Sequence, residues 1–174
     1  MYFLKVLIIF FKKKFWSGEK YARSLGVVLG ESCSISKSVG FGSEPYLIEI
    51  GDNVQLTDNV KFFNHGGGWV LRSKYPNFDF FGKIKIGNNV YVGSSSLILP
   101  GVTIGNNVLI GAGSVITKSI PSNCVVGGNP AKVLCMLDEF ERNYVPFNLD
   151  IKGLSSFEKK DYLLNLEEKH FVRK

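Results

Sequence analysis

The chain has 174 residues, of which 45% are hydrophobic and 21% are charged, the composition of an ordinary globular protein with one core and a modest appendage. Its three cysteines form no pattern with its two histidines, which argues against a disulfide scaffold or a zinc site and is typical of a reducing compartment. The formal net charge of +6 at pH 7 is concentrated in residues 1–23, so the remainder lacks the basic stripe of a nucleic-acid-binding surface, and we expect no nucleic-acid partner.

Residues 1–24 are predicted to form a basic, aromatic and partly helical arm. The apolar run Val6–Phe11 is far shorter than the ~20 residues that span a bilayer, and no small-residue cleavage site follows it. Two interpretations of the arm stay open. It either packs as a helix on the domain, or residues 1–16 make a peripheral membrane contact, with lysines at the headgroups and aromatic rings below them.

Residues 25–134 contain a six-residue repeat that predicts an all-β solenoid. β-branched residues suit a short extended segment, and Gly, Asn and Asp suit the corner that follows it. Three such steps close a triangular coil of eighteen residues with its apolar side chains inside, and successive coils stack on one another. Antiparallel hairpins would not keep a strict six-residue spacing. The residues that begin the repeats, and that we expect to be buried, are Leu29, Ile35, Phe41, Ile50, Leu56, Phe62, Ile86, Val92, Ile98, Ile104, Ile110 and Ile116.

Two insertions interrupt the repeat. Residues 42–49 hold a small one, and residues 66–85 form a much longer loop that opens with three glycines and carries five aromatic residues. A long loop leaving a regular solenoid is a natural place for function.

The repeat ends before the tail, residues 135–174. Ser155 and Glu158 have the spacing of a capping box, and the segment behind them predicts a helix of about 15 residues, near the usual length. We expect this helix to cover the open end of the coil stack, and a partner-binding helix is the alternative.

The segment 83–134, KIKIGNNVYVGSSSLILPGVTIGNNVLIGAGSVITKSIPSNCVVGGNPAKVL, resembles the hexapeptide-repeat acyltransferases. It is most similar to the branch that contains galactoside, maltose, xenobiotic and polysaccharide O-acetyltransferases. The resemblance implies a left-handed parallel β-helix, a homotrimer with active sites between neighbouring prisms, and acetyl-CoA as the cosubstrate. The left hand comes from the resemblance alone, because general handedness rules favour the opposite hand.

His65, in the stretch FFNHGGGW, is the candidate catalytic residue. The resembling enzymes place their catalytic histidine just before this loop, and a neutral imidazole can take the proton of an attacking hydroxyl. Asn64, Asp58 and Asp79 are the candidates for orienting the ring, and the sequence does not choose among them. His170, in the charged tail, is expected to be an ordinary surface residue.

The resemblance also implies the residues that bind acetyl-CoA. Ser94 matches a residue near the thioester, Ala112 matches the small residue beside the pantetheine arm, and backbone N–H groups near Ser94 are expected to stabilise the oxyanion. Thr117 and Lys118 match the pair near the nucleotide, and Lys132 stands where the family has a cation near the phosphates. We expect direct transfer without a covalent intermediate, because no cysteine has a histidine neighbour to activate it. Tyr91 stands where family members commonly have Trp.

The sequence therefore predicts an acetyl-CoA-dependent O-acetyltransferase acting on a sugar hydroxyl in capsule, exopolysaccharide or lipopolysaccharide assembly. The alternatives are a xenobiotic, maltose or galactoside acetyltransferase, an amino-sugar N-acetyltransferase, and a non-catalytic trimeric scaffold. A γ-type carbonic anhydrase is excluded because its zinc needs three imidazoles, and we expect no metal. We expect a cytoplasmic location, at the inner face of the membrane if the arm binds lipid.

Overall fold

A computed structural model describes residues 11–12 and 15–173 of the chain. The two interpretations of the arm differ mainly in what residues 1–10 contact, and these residues lie outside the described residues. The chain divides into two compact units after Leu137.

Thirteen strands of the first unit form three sheets. Sheet A contains β1 (Val28–Leu29), β3 (Ile48–Ile50), β6 (Ile84–Ile86) and β9 (Thr103–Ile104). Sheet B contains β2 (Ser34–Ile35), β4 (Val54–Leu56), β7 (Val90–Val92), β10 (Val108–Ile110), β12 (Cys124–Gly127) and β13 (Lys132–Met136). Sheet C contains β5 (Lys61–Phe62), β8 (Leu97–Ile98) and β11 (Val115–Ile116).

The chain visits the sheets in the order A, B, C and then begins the next coil. Each strand pairs in parallel with the strand one coil away, as in the register Leu109↔Tyr91. Among the paired strands of the described residues, only β13 and β12 are antiparallel. This topology confirms the predicted parallel β-solenoid.

The core is built from the residues that begin the repeats. All twelve predicted positions are buried, with no more than 6% of their surface exposed. The fifth residue of most six-residue repeats is buried too, and Ser96 and Ser114 are among these residues. Each of these serine hydroxyls donates a hydrogen bond to a backbone carbonyl in its own corner, so the core leaves neither of them unsatisfied.

The asparagines of the repeat build one corner of the solenoid. Asn53, Asn89, Asn107 and Asn123 all have φ between 52° and 61°, which asparagine tolerates better than most residues. Their side-chain amides are hydrogen-bonded to one another from coil to coil at 2.8–2.9 Å. The asparagine at this corner of each coil therefore turns the chain and also ties the coils together.

Helix α1 (Gly18–Leu25) covers the first coil. The hydroxyl of Ser17 accepts a hydrogen bond from Lys20 N–H, and Gly26, with φ of 101°, ends the helix. Ala22 is fully buried, and the Glu19 carboxylate accepts a hydrogen bond of 2.8 Å from the backbone N–H of Ile35. At the other end of the solenoid, β13 ends sheet B.

The second unit is mainly helical. Helix α2 (Leu137–Tyr144) begins at the boundary, and α3 (Ser156–Leu164) follows it. The predicted capping box is present, because Ser155 and Glu158 each accept a hydrogen bond from the other's backbone N–H. Helix α3 has nine residues rather than about 15, because Asn165 caps its end with bonds to Asp161. Among the described residues, no helix is long and apolar enough to cross a membrane.

Candidate active site

His65 lies at the neck of the long loop. Strand β5 ends at Phe62, and the carbonyl of Asn64 then accepts a hydrogen bond of 2.7 Å from Gly82 N–H. His65 and Phe81 form an antiparallel bridge beside this bond. Gly82 must be glycine because a Cβ there would collide with the backbone of Gly101 in the next coil. The loop therefore leaves and rejoins the solenoid at adjacent points, with His65 held between them.

Two residues of the small insertion contact the imidazole. His65 Nε2 lies 2.8 Å from Ser43 Oγ and 3.2 Å from Glu44 Oε2, and the Ser43 hydroxyl donates a 2.9 Å hydrogen bond to the same carboxylate oxygen. The side chain of Glu44 is 18% exposed and that of His65 is 37% exposed. Phe81 packs on the imidazole with the ring centroids 5.3 Å apart. The ring is thus fixed by a carboxylate, a hydroxyl and an aromatic face while part of it stays open.

None of the three predicted orienting residues holds the ring in this structure. Asp58 instead accepts hydrogen bonds from Ser36 and Ser38, which together lower the pKa of its carboxyl group. Asp79 accepts a hydrogen bond from the backbone N–H of Phe80. Asn64 precedes His65, but its amide makes no hydrogen bond with it.

Ser43 and Glu44 take the orienting role, and sequence reasoning missed both of them. They lie 22 and 21 residues before His65, where the six-residue register breaks, so the repeat could not place them. The available signal was the insertion itself, because it falls one coil before the long loop.

A cavity of about 340 Å³ opens beside the imidazole. Its size is that of a small-ligand pocket. Residues from two successive coils line it: Gly40, Gly42, Ser43, Lys61, Phe62, Phe63, Asn64 and His65.

Asn64 is the exceptional residue in this lining. It is 1% exposed, and neither its Nδ2 nor its Oδ1 has a hydrogen-bond partner among the described residues. Gly42 lies directly against it, since a Cβ at Gly42 would be 3.1 Å from Oδ1. A buried amide without partners costs stability, and such groups concentrate at functional sites.

Four of the five residues predicted to bind acetyl-CoA lie at the two ends of the strands of sheet C, and Lys132 lies on sheet B. Ser94 and Ala112 occupy the corner before β8 and β11, and Gly113 N–H donates a 2.8 Å hydrogen bond to the Ser94 carbonyl, which places them one above the other. Thr117 and Lys118 are exposed at the opposite end of the strands, after β11. Lys132 is exposed at the start of β13.

His65 and Thr117 both follow strands of sheet C, β5 and β11, but lie two coils apart, or about 10 Å at the usual strand spacing. Ser94 lies at the opposite end of the strands, before β8. One copy of the chain therefore does not bring the Ser94 corner and His65 together.

The surroundings of Cys124 and Cys33 are those of structural cysteines rather than nucleophiles. Burial, with a smaller contribution from the neighbouring Cys135, raises the pKa of the Cys124 thiol. Cys33 donates to the carbonyl of Gly51 at 3.2 Å. Within residues 11–12 and 15–173, no three His, Cys, Asp or Glu side chains are grouped so that they could hold a metal ion.

Comparisons with known proteins agree with the repeat. A family model described as bacterial transferase hexapeptide (six repeats) matches residues 83–118. The chain is 51% identical over 166 residues to Protein CapG from Staphylococcus aureus, covering 93% of this chain and 95% of CapG. It is 42% identical over 103 residues to the galactoside O-acetyltransferase of Escherichia coli (strain K12), covering 58% of this chain but only 50% of that enzyme.

A solved structure of a galactoside acetyltransferase in complex with coenzyme A is 28% identical to the chain, with a TM-score of 0.57. The match covers 87% of this chain and 88% of that one. The match is therefore longer than the repeat segment, residues 25–134.

Proposed function

Because the chain belongs to the hexapeptide-repeat acetyltransferases, we propose that it transfers the acetyl group of acetyl-CoA to a hydroxyl of a sugar. The family also supports a left-handed winding of the β-helix. The observation that carries the proposal is the position of His65, which is fixed by Ser43 and Glu44 at the rim of a cavity large enough for a sugar ring.

His65 acts as the general base in this proposal. The imidazole takes the proton of the acceptor hydroxyl while that oxygen attacks the thioester carbon, the carbon–sulfur bond breaks, and the proton passes to the departing thiol. Glu44, 3.2 Å from Nε2, stabilises the positive charge on the ring between these two proton transfers. The raised pKa of Cys124 favours direct transfer over a cysteine intermediate.

The proposed cosubstrate site uses Ser94, Ala112, Thr117, Lys118 and Lys132. The coenzyme A complex of the galactoside acetyltransferase supports acetyl-CoA as the donor. The exposed Lys118 and Lys132 lie in the last coils of the solenoid and suit the phosphates of coenzyme A. The stacked backbone at Ser94 and Ala112 suits an extended pantetheine arm.

We propose that the active site forms between copies in a homotrimer. His65 follows β5 and the Ser94 corner precedes β8, so they lie at opposite ends of the strands of sheet C, and in this proposal a second copy supplies the corner that meets His65. Closed cyclic assembly suits flat prism faces. Backbone N–H groups near Ser94 of that copy would then face the developing oxyanion.

The experiment is an acceptor screen. Purified protein is incubated with acetyl-CoA and a panel of neutral, amino and acidic sugars, and both free thiol and acetylated product are measured. We expect thiol release that depends on one class of sugar, with an ester in the product. Thiol release with no acceptor dependence, or an amide as the sole product, would contradict O-acetyl transfer.

A further inference from the structure

Lys61 lies on the cavity beside the proposed base. It precedes the buried Phe62 on β5, so the alternation of the strand directs its side chain out of the core. Its stem lies over Gly40, where a Cβ would be 3.6 Å from Lys61 Cγ, an ordinary contact. Both residues line the same cavity as His65.

Lys61 has no counterion within the part of the chain that the structure describes. No carboxylate lies within 4.0 Å of its ammonium group, and none of the residues lining the cavity is acidic. Lys85, which points outward from β6 on the neighbouring sheet, instead pairs with Glu49 at 2.9 Å. Glu44, the acid that contacts the imidazole, is engaged by His65 and Ser43.

The cavity therefore presents the positively charged ammonium group of Lys61 to a bound ligand. A lysine with an apolar stem and a free ammonium group binds an anion as a point charge. Phe63, which is 40% exposed, lines the same space, and its ring suits the apolar face of a sugar ring.

We propose that Lys61 binds a carboxylate on the acceptor, so that the acceptor is an acidic sugar such as a hexuronic acid. This inference rests on the proposed function and narrows its substrate class. The phosphates of coenzyme A are the other source of negative charge. They are disfavoured because the thioester end of acetyl-CoA must reach His65, which lines the same cavity as Lys61, and the pantetheine arm keeps the phosphates away from that end.

The kinetic test compares matched acceptors that differ only in carboxylate against hydroxymethyl, such as galacturonic and galactose oligosaccharides. The wild-type protein should prefer the acidic acceptor by about tenfold in kcat/KM, the size expected for a hydrogen bond to a charged group. Lys61→Met should remove that preference by raising the KM of the acidic acceptor, while the KM of acetyl-CoA stays unchanged. Lys85→Met is the control and should keep the preference.

The inference is overturned if wild type uses both acceptors equally, or if Lys61→Met keeps the preference. A rise in the KM of acetyl-CoA alone would assign Lys61 to the phosphates instead. A binding measurement separates this from failure of the proposed function. Calorimetry with His65→Ala should show tighter binding of galacturonate oligomers than of galactose oligomers, whether or not transfer is detected, and equal binding would contradict the inference.

Discussion

At the scale of single residues, the site depends on a break in the repeat. His65 stands at the end of a regular rung, but the groups that hold it, Ser43 and Glu44, come from the insertion between the first two coils. A carboxylate beside an imidazole orients the ring and stabilises the cation that forms when the ring takes a proton. The small insertion thus gives the histidine a fixed direction that the repeat alone would not provide.

Glu44→Gln tests this assignment. The amide keeps the shape of the side chain but loses the charge, so we expect kcat to fall about 10- to 100-fold, the usual effect of removing an orienting partner. The KM of acetyl-CoA should stay within a few fold. Glu44→Asp should recover part of the lost rate, and a Gln variant with wild-type kcat would rule out an orienting role.

Asn64 gives a second prediction at this scale. Leu has the same number and branching of side-chain heavy atoms but no polar group, so Asn64→Leu should raise the free energy of unfolding by about 1–2 kcal/mol. Asn107→Leu is the contrast, because it breaks two hydrogen bonds of the ladder and should destabilise. Urea titration measures both variants. Destabilisation by Asn64→Leu would mean that the amide has a partner, such as a buried water.

At the scale of elements, the six-residue pattern was sufficient to predict the rungs but not the ends of the solenoid. Every hexad begins with a residue that the structure buries, because each rung repeats the same geometry. The antiparallel strand β13 and the nine-residue length of α3 could not be predicted in this way. They depend on tertiary pairing and on the capping by Asn165, which a periodic pattern does not encode.

The attachment of α1 leads to a pH-dependent prediction. Partial burial alone would raise the pKa of Glu19, but hydrogen bonds from the backbone N–H groups of Ile35 and Glu19 and from Ser17 lower it overall. A lowered pKa means that the carboxylate stabilises the fold at neutral pH, and that this contribution disappears as the pH falls through the lowered value.

Glu19→Gln should therefore cost at most about 1 kcal/mol at pH 7, given solvent screening, and the difference from wild type should shrink as the pH falls below the ordinary range of a glutamate and disappear once the carboxyl group is protonated in the folded protein. Glu139→Gln, at an exposed position of α2, is the control and should leave the free energy of unfolding at pH 7 close to that of wild type. Urea unfolding at several pH values measures this. A difference that grows in acid would contradict the assignment.

At the scale of the whole molecule, the solenoid is a stack of equivalent rungs. The spacing from Ile86 to Ile104, and from Ile98 to Ile116, is eighteen residues, and the paired strands keep this offset. The stability of such an array is the sum of contributions from each coil and from the contacts between neighbouring coils. A whole coil can therefore be removed in principle.

Deleting residues 86–103 should give a protein that still unfolds cooperatively, because Ile104 takes the place of Ile86 on β3. Deleting only residues 94–96 should prevent cooperative folding, because it turns the following apolar residues out of the core. Circular dichroism with thermal unfolding measures both deletions. Equal tolerance of the two would show that the register does not determine the fold.

The central claim is that His65 is the base of an acetyl transfer, and acceptor-dependent thiol release from acetyl-CoA tests it most directly. His65→Ala should lower the rate by about 10²–10⁴-fold, while His170→Ala, which removes the other histidine, should leave it unchanged. A folded His65→Ala protein that keeps a rate within a few fold of wild type would contradict the claim.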